Sequence, residues 1–138
     1  MKSTNYFNTL IQVADDCPTK TAKVPSSENK SKTVAALQYE MIAQSPYKFT
    51  SDEIIFKIHA LKSKITAKHF AEEKKMFFSK GQACLRTSPL AKRYGWGIHS
   101  NEVGKVALYA VESVQYQKLV KDESIAKTKA MRTKRKDK

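Results

Sequence analysis

The stretch TSDEIIFKIHALK, Thr50 to Lys62, admits two readings, and the choice between them sets the architecture. Ile54, Phe56, Ile58 and Ala60 alternate with other residues, the period-two pattern of a strand. Ile54, Ile58, Leu61 and, just beyond, Ile65 recur at the three- and four-residue spacing of a helix face. The N-terminal end tips the reading toward a helix, with a strand over residues 54–61 left as the alternative. Thr50 followed three residues later by Glu53 is a capping box, in which the threonine hydroxyl accepts the N–H of Glu53 and the glutamate carboxylate accepts the N–H of Thr50. A helix is therefore expected, and helices rather than strands fill the middle of the chain. His59 within it has no second ligand three or four positions away and reads as a packing or surface histidine.

Working outward, Pro46-Tyr47 breaks a preceding helix, VAALQYEMIAQ, that Thr33 caps and whose Val34, Leu37 and Met41 fall at helical spacing. Before it, Thr19 to Lys32 holds Pro25-Ser26-Ser27 and little to bury, the composition of an exposed, mobile loop. Tyr6 to Ala14 reads as a strand covered on most of both faces. Asp15-Asp16-Cys17-Pro18 ends it as turn chemistry, with no partner ligands at a metal-binding spacing. On the other side, Thr66 caps AKHFAEEKKMFFSK, with Phe70, Met76 and Phe77 as its apolar face and Gly81 at its end. His69 and Glu73 within it read as a surface pair rather than metal ligands.

Trp96 to His99 and Lys105 to Val111 form two strands of a hairpin, and a last helix runs from Glu112-Ser113 to Val120 with Val114, Tyr116 and Leu119 available for docking. The fold class is α+β: one small, mainly antiparallel sheet, from Tyr6–Ala14 and the hairpin, packed with three to four helices in a single domain over residues 1–120. Residues 121–138 carry 8 basic and 3 acidic residues and are expected to form a basic, flexible C-terminal tail dispensable for folding.

At 138 residues the chain buries enough surface for an ordinary core, since a chain near 150 residues buries about 68–70 per cent of its unfolded surface. Two distant cysteines, Cys17 and Cys84, make no disulfide or metal pattern, and neither a signal peptide nor a membrane-length apolar run is visible. A soluble, cytoplasmic protein without cofactor or metal is expected. The formal net charge of +13 admits non-specific contact with nucleic acid.

Residues that carry chemistry concentrate in CLRTSPLAKRYGWGIH, Cys84 to His99. Ser88-Pro89 starts a short helical turn reaching about Arg93, serine as cap and proline at the first position. Gly95 and Gly97 bracket the only tryptophan, marking a place where something approaches the backbone closely. That neighbour is either a ligand or the protein's own side chains. Arg86, Lys92 and Arg93 sit near the hydroxyls of Thr87, Ser88 and Tyr94, a composition suited to phosphate or carboxylate. No glycine-rich phosphate cradle accompanies them, and Ser88 and Lys92 miss the Ser-x-x-Lys spacing of acyl enzymes by one residue.

The segments TNYFNTLIQVADDCP, ALQYEM, PYKFTSDEIIF and ACLRTSPLAKRYGWGIH, followed by GKVALYAVES, resemble a family of small uncharacterised bacterial and fungal proteins defined as a domain of unknown function. The resemblance spans about Thr4 to Leu119 and implies no activity, cofactor or catalytic residue. It does imply glycine where this chain has Lys64, at the end of the central helix.

Three functions compete. The first is a small anionic ligand, bound by Arg86, Lys92, Arg93, Tyr94, Trp96 and His99, with His99 as acid, Tyr94 as hydrogen-bond donor and Arg86 as clamp. It requires those side chains to converge on a cavity. The second is weak, sequence-independent nucleic-acid binding through the basic surface and tail. The third is a non-catalytic interaction domain docking through apolar surface around Tyr47, Phe49 or Trp96.

Overall fold

The computed structural model describes residues 2–26 and 32–133. Its centre is the helix that the capping box requires: here called α2, it spans Ser51–Lys62, with the Thr50 hydroxyl accepting the Glu53 N–H at 3.2 Å and the Glu53 carboxylate accepting the Thr50 N–H at 3.0 Å. The alternation of its apolar residues has a helical explanation. Ile54 and Ile58, four apart, face the main core, while Phe56 and Ala60, also four apart, face a second cluster containing Phe78. A helix packed on two sides shows two stripes, and two offset stripes imitate period two. Leu61, expected on the buried face, lies between the stripes' reach and is exposed.

Among the described residues the α-helices and strands follow in the order β1 (Thr9–Gln12), α1 (Val34–Gln44), α2, α3 (Phe70–Ser79), α4 (Pro89–Lys92), β2 (Trp96–Ser100), β3 (Val106–Ala110), α5 (Val114–Lys121) and β4 (Ala126–Lys129). The sheet order is β3-β2-β1-β4, with β1/β2 and β2/β3 antiparallel and β1/β4 parallel. This is the expected α+β class with a mainly antiparallel sheet. Ile11 pairs with Ile98, which pairs with Leu108, and this row faces the core shared with Ile42, Ile54, Ile58, Leu85 and Leu90. The next row, Leu10, His99 and Ala107, turns to the opposite face, where Leu10 packs with Tyr116 of α5 and with Ile125.

Gly97 lies on that second face. A Cβ there would stand 2.4 Å from Cε2 of Tyr116, so the close approach expected at Gly97 is made by the protein's own aromatic ring. Trp96 faces the main core, its ring centroid 5.4 Å from that of Tyr39, and its indole N–H donates to the Lys23 carbonyl at 2.9 Å.

Several expectations need correction. Helix α1 buries Ala35, Ala36, Gln38 and Ile42, and Val34 is exposed, because the buried amide of Gln38 accepts the hydroxyl proton of Ser88 and sets the helix's rotation. In α3 the fully buried residue is Phe78, whereas Met76 is 64% exposed; the residues just before it, Ala67–His69, form a 3-10 turn that Thr66 does not cap through its side chain. Val114 at the start of α5 is exposed, leaving docking to Tyr116 and Leu119. The loop from Thr19 is held rather than loose up to Pro25: Lys23 donates its N–H to the Tyr94 carbonyl at 2.8 Å, Ala22 donates to Glu112 at 2.8 Å, and Pro25 is buried. The part of that loop at 27–31 lies outside the described residues.

The largest correction concerns the tail. Residues 126–129 form β4, and Ile125 and Ala130 on either side are buried. Strand β1 would otherwise present an open edge of unpaired N–H and C=O groups, and a lysine-bearing segment is well suited to an outermost strand. Ala126 donates to the Asn8 carbonyl at 3.0 Å and Ala130 to that of Gln12 at 2.8 Å. Two apolar residues among lysines were enough to dock it. The expected flexibility of 134–138 lies outside the described residues.

Candidate functional site

His99 sits at one end of a three-group chain on the α5 face, with Tyr47 in the middle and Tyr109 at the other end. Strand pairing fixes its backbone between Leu10 and Ala107, and the imidazole is 9% exposed. Its Nδ1 lies 2.8 Å from the Tyr47 hydroxyl, which lies 2.6 Å from the hydroxyl of Tyr109. Tyr109 reaches His99 along the hairpin: it pairs with Gly97, diagonal to His99 on the same face. Tyr47 comes from outside the sheet. Its N–H donates to the Val106 carbonyl at 2.9 Å, on the outer edge of β3, and its positive φ of 59° turns the side chain toward His99.

Burial lowers the pKa of His99 below the ordinary histidine value, with Asp122 pulling more weakly the other way, so the ring is neutral at pH 7. Burial, together with the hydrogen bond shared with Tyr109, pushes the Tyr47 hydroxyl well above the usual tyrosine range. Three neutral groups in a row can be ordered in two ways. If Tyr109 donates to Tyr47 and Tyr47 to Nδ1, the far nitrogen Nε2 carries the proton and donates. If Nδ1 donates to Tyr47 and Tyr47 to Tyr109, Nε2 accepts.

That Nε2 is buried and has no hydrogen-bond partner among the described residues. His99 also lines an open depression of about 340 Å³ with Asn8, Asn101, Glu102 and Val103. The asparagines are half committed: Asn8 donates its Nδ2 to the Ser124 carbonyl at 2.7 Å, and Asn101 Oδ1 accepts from the N–H groups of Val103 and Lys105 at 3.1 and 2.9 Å. Asn8 Oδ1 and Asn101 Nδ2 remain as one acceptor and one donor. Glu102 is the only formal charge in the lining.

The other residues read as site candidates do not join His99. Arg86 donates its Nε–H to the Lys129 carbonyl at 2.7 Å and accepts the Met131 N–H on its own carbonyl at 2.8 Å, which fastens it to β4 at the far edge of the sheet. Lys92 and Arg93 lie at the end of α4; Arg93 and Tyr94 line a separate depression with Pro89 and the start of α1. Trp96 faces the main core. His99 and Tyr94 thus line different depressions, and Arg86 is held against β4. Among the described residues no group of three or more His, Cys, Asp or Glu side chains is placed to hold a metal ion.

A family model matches residues 1–136. The chain belongs to that family of unknown function, DUF6157. No curated protein and no solved structure matches it. Within this DUF6157 chain, Tyr109 was findable from the hairpin, because counting back across the turn places it on the face of His99. Tyr47 was not. It reaches the histidine through a left-handed backbone residue and a contact 52 positions away, neither of which has a local pattern.

Proposed function

We propose that the protein binds a small polar ligand, uncharged or cationic, in the depression above His99. The observation that carries this reading is the buried, unpartnered Nε2 of a histidine whose other nitrogen is fixed by Tyr47 and Tyr109. A buried polar atom left without a partner costs about 1–3 kcal/mol, a cost that a hydrogen-bonding ligand removes. Nε2, Asn8 Oδ1 and Asn101 Nδ2 offer mixed donors and acceptors, and Glu102, with no arginine or lysine beside it in the lining, favours an amine or hydroxyl over an anion. The free thiols of Cys17 and Cys84 support a reducing cytoplasm as its compartment, and no helix among the described residues is long and apolar enough to cross a membrane.

Ligand-observed NMR with small polyols, primary amides and ethanolamine, alongside acetate and phosphate, tests the reading. Binding of at least one polyol, amide or amine is expected, lost in His99→Phe and kept in Arg86→Ala. Binding confined to acetate or phosphate, or surviving His99→Phe, would overturn it. The net charge of +13 favours a second reading, non-specific association with nucleic acid through dispersed lysines.

A further inference from the structure

A different part of the molecule leaves apolar surface unfilled. Helix α3 docks on α2 through its C-terminal half: Phe78 is fully buried, and the rings of Phe77 and Phe78 lie 5.5 and 6.2 Å from that of Phe56. Its first turn stands further out. Phe70 leans edge-on against Phe56, with centroids 4.8 Å apart and planes at 82°, and remains partly open to solvent. Between this turn, α2, the end of α1 and the segment before α2 lies a cavity of about 190 Å³, walled by Met41, Phe49, Phe56 and Phe70. Apolar walls give water few partners, and an apolar void of about 150 Å³ is enough to take up a benzene ring.

The rim adds a charge. Lys57 and Lys74 border the cavity, and neither forms an ion pair among the described residues. Lys48 places its Nζ 5.3 Å from the centre of the Phe49 ring, adding a third positive group beside one wall. Glu53 also borders the cavity, but its carboxylate is engaged with the backbone N–H of Thr50 at the start of α2. An occupant that satisfies both walls and rim has an apolar body and a single negative head.

We propose that this cavity binds a small carboxylic acid with an aromatic or short aliphatic body, ring against Phe56 and Phe70 and carboxylate toward Lys57 and Lys74. It is independent of the His99 depression, which offers polar walls and an acidic residue.

The test titrates the full chain with phenylacetate, its neutral counterpart 2-phenylethanol and its cationic counterpart phenethylamine, following the Met41 methyl and the backbone amides by NMR. Phenylacetate should shift Met41 and residues around Phe70, and bind at least tenfold more tightly than either counterpart. Because Lys57 and Lys74 are at the rim, the double substitution Lys57→Gln/Lys74→Gln should remove that preference while leaving the melting temperature unchanged and still admitting 2-phenylethanol. No binding of phenylacetate at millimolar concentration, equal binding of all three probes, or shifts centred on Asn8 and Asn101 would each overturn the proposal.

Discussion

Burial keeps His99 uncharged, and the sign of that effect on stability follows directly. The folded-state pKa lies below the ordinary value of 6.5, so as pH falls the unfolded chain takes up the proton first. The stabilisation is complete above about pH 6.5 and lost as pH falls through the lower folded-state value. The urea midpoint of the wild type should therefore fall between pH 7.5 and 5 more steeply than that of His99→Phe; parallel curves would contradict the assignment. Lys64 illustrates a different residue-level strain. With φ of +54° it occupies the left-handed position after α2, and the next residue, Ile65, donates its N–H to the Ala60 carbonyl at 2.9 Å and packs on the Phe56 cluster. A side chain in that conformation costs about 1–2 kcal/mol, so Lys64→Gly should raise stability by about 1 kcal/mol, read by thermal denaturation. Gly97→Ala should do the opposite, costing about 1–3 kcal/mol by urea denaturation as the Tyr116 ring is displaced. These local facts were partly legible: the resemblance put glycine at position 64, and paired glycines signalled close approach at 97. Which atoms approach was not, because Tyr116 arrives from a helix whose docking angle no local pattern encodes.

At the level of elements, caps and turns spoke most clearly. Thr50 with Glu53, Ser88 with Pro89, and the hairpin around Gly104 each state a local geometry that the chain adopts. What resisted reading was which face a helix buries. Val34, Leu61 and Met76 are large and apolar yet exposed, since burial depends on the neighbours each helix meets and a two-sided contact such as that of α2 divides the apolar residues between clusters. Strand β4 resisted for a related reason: its lysines and threonine signal solvent, while the unpaired edge of β1 that it satisfies lies more than a hundred residues earlier. Ending the chain after Val120 removes β4 and the buried Ile125 and Ala130. Burial of one isoleucine alone contributes about 1.5–3 kcal/mol, so the melting temperature should drop by more than about 4–8 °C. A truncated chain melting with the full one would show that β4 contributes nothing to stability.

For the molecule as a whole, charge and site separate. The positive charge is dispersed: Arg86 serves β4, Arg93 lies beside α4, and the polar depression at His99 holds only Glu102. Association with DNA, if measured by fluorescence anisotropy, should be sequence-independent, fall steeply with added salt, and be unchanged in His99→Phe. The central claim, a neutral histidine with one nitrogen fixed internally and the other waiting for a ligand, is tested most directly by long-range ¹H–¹⁵N NMR of the imidazole. The account predicts a neutral His99 at pH 7, an Nδ1 signal altered by Tyr47→Phe, and an Nε2 signal that shifts on saturation with a polyol, amide or amine from the panel. An imidazolium at pH 7, or an Nε2 signal unmoved by every member of that panel, would contradict it.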